Sequence, residues 1–402
     1  MTGWIRGPFG LGAASRVTLA GCRTVLVVVP TMTAGTRLLD LVPLLEADHR
    51  VQVVFTVPHT GDTWHGVEDY VRRQGGLVLP WHQATRHAFD LVLAASHRHL
   101  ADLHGPILLL PHGAGSLMSR RLSRKAGAAT TPTTGLDREL LTFRGRVLPA
   151  ALALTSDDEL PALRELCPEA EPVAVVAGDI CLDRMLASLP LRRRYRDALG
   201  VAEGERLTVV SSTWSTESTF GQRPELYRRA LVESGGRVAA VLHPNIWTVH
   251  GTRQVRAWLA DCLRAGLLLI PPEEGWRGAM VAADWVLGDH GSTTAYAAAI
   301  GRPITLATFP RDDIRPGSLA DLVREAAPAL DTGRPLAAQL EVALTRQEHL
   351  RETVAAALSS RPGGAAAVLR ATMYRLLNLP EPACGLPTAV VPLPVPLEAD
   401  DA

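Results

Sequence analysis

The sequence predicts an α/β protein built from two Rossmann-like, doubly wound domains facing a central cleft, and three observations carry that prediction. Short β-branched or leucine-rich runs alternate with segments of helical period, the pattern of parallel βαβ units. The alternation comes in two series, one on each side of Pro161–Glu205. With 402 residues and 47% hydrophobic composition, the chain has the length and apolar content for more than one core.

Taken in order, the first series places strands at Thr24–Pro30, Val51–Val57, Leu77–Pro80, Asp90–Ala95 and Ile107–Leu110, and Val173–Val176 reads as one more strand between the two series. The second series places them at Leu207–Ser211, Val238–Leu242, Leu267–Ile270, Asp284–Leu287 and Ile304–Ala307. Amphipathic stretches such as Pro224–Ser234 and Thr252–Ala265 separate these runs, and Ala/Leu-rich helices are expected at Leu336–Ser359 and Gly364–Leu377. The halves echo one another: Asp90 and Asp284 each precede a buried strand that ends in polar residues. The expected organisation is an extension over 1–21, an N-terminal acceptor domain over 22–185, a C-terminal nucleotide-donor domain over 186–360, a terminal helix over 361–379 and a disordered proline-rich, acidic tail over 380–402.

Composition narrows the function classes. Lys plus Arg and Asp plus Glu both total 41, so the chain lacks the basic excess of a nucleic-acid binder. Its five cysteines (Cys22, Cys167, Cys181, Cys262 and Cys384) are scattered without a C-x-x-C pair, which argues against a disulfide framework or a zinc site and suits a reducing cytoplasm. Leu19–Cys22 has the look of a lipoprotein cleavage box, but no continuous apolar segment precedes it, and no run approaches bilayer length. The expectation is a cytoplasmic protein, at most peripheral at the inner face of the membrane, with no nucleic-acid partner, an open oligomeric state and no metal. The histidines, nine of 13 of which precede residue 113, show no interpretable ligand spacing. G-x-G-x-x-G after a first strand, G-x-x-x-x-G-K-[ST] and H-E-x-x-H are all absent.

Doubly wound domains bind ligands at the C-terminal ends of their strands, so the chemistry is sought in four strand-end turns. His112, in Leu110-Pro-His-Gly-Ala-Gly-Ser116, is the candidate general base, because imidazole titrates near neutrality; Gly113, Gly115 and Ser116 then lie on the acceptor side. His243, in His243-Pro-Asn245, is the second candidate and suits donation to a phosphate oxygen, with Asn245 beside it. The hydroxyl-rich loop with Ser212, Thr213 and Trp214 suits a diphosphate, though Ser and Thr are also ordinary turn residues. The fourth turn carries Asp289, His290, Gly291, Ser292, Thr293 and Thr294 into a small-residue helix, with Ser292 or Thr293 expected as N-cap over an anion site. Glu274 is a candidate ribose contact. Arg120, Arg121, Arg124 and Lys125 form a basic cluster suited to anionic lipid, to substrate phosphate or to solvent.

With His112-Gly113, Gly178-Asp179, Ser212-Thr213-Trp214, His243-Pro244 and Asp289-His-Gly-Ser292 in this order, the chain resembles the CDP-glycerol glycerophosphotransferase family of GT-B-fold transferases. The stretch Gly275–Ser292 looks like an actinobacterial branch of that family. The resemblance implies glycerol-phosphate transfer from a nucleotide-diphosphate-linked donor in cell-wall polymer assembly, without a metal or other cofactor. It implies His112 as base, His243, Ser292 and Thr293 as donor-phosphate ligands, and a terminal helix packed back on the first domain. Where the family has Trp-Arg, this chain has Trp214-Ser215, and the family's acidic residue early in the following helix is matched by Ala295 or Tyr296. The donor therefore stays open between CDP- and UDP-linked compounds and between a glycerol-phosphate and a glycosyl group. The acceptor hydroxyl stays open between a lipid-linked and a small-molecule precursor. His243-Pro-Asn245 is also similar to the nucleotide-sugar 2-epimerases, and a non-catalytic nucleotide-binding scaffold would need the turns but no base.

Overall fold

A computed structural model of the chain describes residues 4–8, 15, 17–58, 66–116, 135–310, 314–383, 385 and 388–398. The strands are β1 Arg23–Val28, β2 Val51–Val57, β3 Val78–Pro80, β4 Leu91–Ala94, β5 Ile107–Leu109, β6 Thr142–Phe143, β7 Arg146–Val147, β8 Ala151–Leu154, β9 Ala174–Val176, β10 Arg206–Ser212, β11 Gly236–Leu242, β12 Leu268–Ile270, β13 Trp285–Gly288 and β14 Ile304–Leu306. They form two parallel sheets, β3-β2-β1-β4-β5-β8-β9 and β12-β11-β10-β13-β14, while β6 and β7 pair antiparallel as a small hairpin. The five strands of the second sheet follow the same order as the first five of the larger one. This is an α/β fold of two doubly wound units.

Each unit has its own core. The first comprises the described residues up to Ser116, then Gly135–Cys181 and Ser360–Thr388; the second comprises Leu182–Ser359 and the described residues from Ala389. Leu26, Val27, Val209 and Val286 are fully buried, as expected of strands covered on both faces by crossover helices. In the first unit, Leu369, Met373 and Tyr374 of the helix Ala365–Leu377 join the core under β1 and β4, and the Tyr374 hydroxyl donates to Asp48 at 3.0 Å. In the second, Leu336, Leu340 and Ala343 of the long helix Leu336–Leu358 enter the core around β10 and β13.

The echo between Asp90 and Asp284 is a structural equivalence. The Asp90 amide donates to the Thr24 carbonyl at 2.9 Å, and its carboxylate accepts from the Thr24 amide at 2.7 Å. The Asp284 amide donates to Leu207 O at 2.9 Å, and its carboxylate accepts from the Leu207 amide at 2.8 Å. Each aspartate thus fixes the register of the fourth strand of its sheet against the first.

Three features differ from the sequence reading. The strand β8, Ala-Leu-Ala-Leu, carries no β-branched residue to signal it; placement between β5 and β9 makes it a strand, tertiary context overriding propensity. The expected helix over Thr252–Ala265 is two, Thr252–Trp258 and Ala260–Arg264, broken at Leu259. Within the tail expected to be disordered over 380–402, residues 389–398 run along the second unit as an extended strap. Arg184 donates to the Ala389 and Val390 carbonyls at 3.1 and 2.9 Å, Tyr195 to Val391 O at 2.7 Å, and Leu397 N to Leu269 O at 2.9 Å. Prolines forbid helix here but favour the extended polyproline form, and side chains of the unit supply the hydrogen bonds that such a strap cannot make internally.

Candidate active site

In the first unit, β5 runs out into Leu110-Pro111 and the turn that carries His112. The Nδ1 of His112 lies 3.0 Å from the carbonyl oxygen of Ala95, which directly follows β4. A carbonyl can only accept, so Nδ1 carries a proton, and in the neutral ring the lone pair then sits on Nε2, the tautomer a general base requires. The rest of the turn is tethered by polar contacts. Gly113 O accepts from Arg37 Nη2 at 3.2 Å, Gly115 takes the left-handed conformation (φ +71°), and the Ser116 amide donates to Glu159 Oε1. Glu159 also accepts from the Thr155 amide at 2.8 Å. Burial pushes its carboxyl above the ordinary range, opposed by these same hydrogen bonds.

In the second unit, Asp289 organises the corresponding strand ends. It is fully buried, and its carboxylate accepts from Thr213 N (2.9 Å), Thr219 N (3.0 Å) and Gly291 N (3.0 Å), tying the loop after β10 to the turn after β13. Ser211 and Thr293 share a hydrogen bond of 2.7 Å across the same two segments. The Ser212 hydroxyl bonds within its own loop, donating to Thr213 O at 2.7 Å and accepting from Phe220 N at 2.9 Å. The helix Ser292–Ala299 begins there, half-buried at Ser292 and Thr293 and buried from Thr294 on. Its N-cap is Gly291, with no side-chain cap, rather than the expected Ser292 or Thr293. Gly291 has the extended conformation of a cap, and Thr293, already inside the helix, spends its hydroxyl on Ser211.

His243 follows β11 and caps the helix Pro244–His250, its Nδ1 accepting from the Asn245 amide at 3.0 Å. Burial lowers its pKa from 6.5 to about 4, so the ring is neutral near pH 7 with its proton on Nε2. The exposed Trp214 ring lies 6.5 Å from it. His290 stands edge-on to Phe309 at 6.5 Å; its Nδ1 and the Thr294 hydroxyl are buried without a hydrogen-bond partner among the described residues. A polar turn with unspent groups beside a helix N-terminus can receive an anion. Glu274 is engaged elsewhere, ion-paired to the buried Arg277 and accepting from Gly275 N at 2.9 Å.

Sequence reasoning passed over Arg37 and Glu159. Arg37 meets Asp179 across 142 residues of chain, and no local spacing signals such a pairing. The basic cluster Arg120, Arg121, Arg124 and Lys125 lies outside the described residues. Among the described residues no group of histidines, cysteines and carboxylates could hold a metal ion, and no helix is long and apolar enough to cross a membrane.

No family model matches the chain, and no curated protein matches it in sequence. Solved structures do match in fold. A variant of the wall teichoic acid polymerase TagF superposes with a TM-score of 0.60 at 10% identity over 90% of each chain. The same variant soaked with CDPG gives 0.59 at 11% identity over 89% of each chain. A structure of TagF itself gives 0.58 at 10% identity, again over 89% of each. Identity this low speaks to architecture alone, and on that evidence the chain has the GT-B-type α/β fold of the wall teichoic acid polymerase.

Proposed function

We propose that the protein is a transferase that moves a glycerol-phosphate or glycosyl group from a nucleotide-diphosphate-linked donor to an acceptor hydroxyl. The observation that carries this reading is the opposite bonding of Nδ1 in the two strand-end histidines: that of His112 faces a carbonyl oxygen, which assigns the base of a neutral ring to Nε2, and that of His243 accepts from an amide, which leaves an N–H at Nε2. One suits a base and the other a neutral donor to phosphate oxygen. In this reading the second unit holds the donor, with its diphosphate at Ser292, Thr293 and the Ser211–Thr213 loop. His112 takes the proton of the acceptor hydroxyl as that oxygen attacks the donor's phosphorus or anomeric carbon. Charge on the departing nucleotide is met by His243 and by the amides at the start of Ser292–Ala299. The neighbour soaked with CDPG favours a CDP-linked donor, with UDP-linked compounds next.

An epimerase would need carboxylates turned toward a sugar. Glu159 and Asp289 are instead occupied by backbone amides, and Asp179 by Arg37.

Thermal unfolding with CDP-, UDP- and GDP-linked donors tests the proposal: a true donor at 100 times its dissociation constant should stabilise by about 2.7 kcal/mol. Ser292→Glu, which sets a carboxylate where phosphate is expected, should abolish that shift and the calorimetric binding signal. Full affinity in that variant would move the phosphate site elsewhere, and a wild type inert with every donor would favour the scaffold reading.

A further inference from the structure

We propose that Arg37, paired with Asp179, is a positioning residue that holds the His112 turn in place for proton abstraction; the proposal rests on His112 acting as the base. Arg37 lies on the helix Met32–Leu39, 5% exposed. Its guanidinium reaches Asp179 through Nη1–Oδ1 at 3.2 Å and Nη2–Oδ2 at 3.5 Å, and the same Nη2 donates to the carbonyl of Gly113, the residue after His112, at 3.2 Å. Asp179 arrives from β9 through Gly178, which is left-handed (φ +86°). One side chain therefore joins the helix after β1, the turn after β5 and the loop after β9.

Stability is a poor reason for this arrangement. A buried ion pair roughly breaks even against apolar residues of similar volume, because desolvation offsets the Coulomb attraction. A small cleft bounded by Arg37, Leu110, Pro111, Thr155, Gly178 and Leu369 lies at the start of the turn. The tether calls for a planar fork that satisfies Asp179 and Gly113 together, and the point charge of a lysine cannot span both.

The test uses the full-length chain with labelled imidazoles, reading the His112 tautomer by nitrogen chemical shifts at fixed neutral pH, the resonance being assigned by its loss in His112→Gln. Wild type should show the Nδ1–H form. In the double variant Arg37→Met, Asp179→Leu, which removes both charges of the buried pair, that form should give way to a mixture of tautomers. Turnover should then fall by about 10²-fold, as for a misplaced reacting group, while donor KM stays within about twofold. Arg37→Lys, which keeps the charge facing Asp179, should show the same loss and decides the matter if the double variant does not fold. A folded variant that retains the wild-type tautomer and turnover overturns the proposal. If the tautomer shifts but wild type transfers nothing from any donor, Arg37 still orders the His112 ring, but its role in proton abstraction falls together with the transferase reading. If His112→Ala is inactive while the Arg37 variants keep the wild-type tautomer and turnover, the transferase reading stands and this one fails.

Discussion

At the scale of single residues, the hydrogen-bond partner at Nδ1 decides what each histidine can do. His112 donates from Nδ1 to a carbonyl, which puts the lone pair of the neutral ring on Nε2; His243 accepts at Nδ1 from an amide and is left a donor. His112→Ala should therefore lose about 10²–10⁴-fold in turnover with donor affinity, measured by calorimetry, nearly unchanged. His243 also links folding to pH. Its folded pKa of about 4 lies below the ordinary 6.5, so the unfolded chain binds the proton more readily between those values. The stability it contributes is complete above pH 6.5 and is lost as pH falls through 4, by up to about 3 kcal/mol. Denaturant unfolding of wild type against His243→Gln should show a steeper decline for wild type across that window. Parallel curves would mean that the ring is better solvated than its burial implies. Asp289 is a different kind of residue, an acceptor for three amides. Asp289→Asn replaces one accepting oxygen with an NH₂ group, and the orphaned amides should cost about 1–3 kcal/mol, read from chemical denaturation.

At the scale of elements, the strap from Ala389 shows how glycines can make room for a segment distant in sequence. A Cβ added at Gly278, in the helix Trp276–Ala282, would come within 2.7 Å of Pro394 Cδ and 3.0 Å of Pro392 O. Gly278→Ala should thus destabilise the protein by about 1–3 kcal/mol despite the better helix propensity of alanine. Most of that penalty should vanish when the substitution is made in a chain ending at Thr388. Additive effects of the substitution and the truncation would show that the strap does not touch Gly278 in solution. This contact was not legible beforehand. Pro380, Pro382 and the later prolines signal only an absence of helix, and what binds a non-helical segment is decided by the surface it meets.

At the scale of the whole molecule, chain order and unit membership part company. The chain leaves the first unit at Cys181, returns at Ser360 and leaves again after Thr388. Leu369, Met373, Tyr374 and Leu377 are buried in the first unit's core although they follow the entire second sheet in sequence. A chain ending at Ser359 should therefore expose the apolar surface under β1 and β4. Its first unit should bind a hydrophobic dye and lose near-UV circular dichroism while keeping its far-UV signal. Retention of a native near-UV spectrum would show that the helix Ala365–Leu377 is dispensable.

The sequence by itself determined the periodic features: the alternation of strands and helices, the two-unit α/β class, the boundaries of β2, and the Asp90/Asp284 echo. Such features follow from local burial patterns with a fixed period, so they are written into consecutive residues. It also located the four turns, because in this topology polar residues at strand ends are recognisable one by one. Tertiary structure decided the rest: that β8 is a strand, that Gly291 rather than Ser292 caps its helix, that Asp289 and Glu159 spend their carboxylates on backbone amides, and that Arg37 reaches Asp179 and Gly113. Each of these depends on partners brought together from separate parts of the chain, and desolvation in a packed interior, which no local pattern encodes, selects which polar groups must pair.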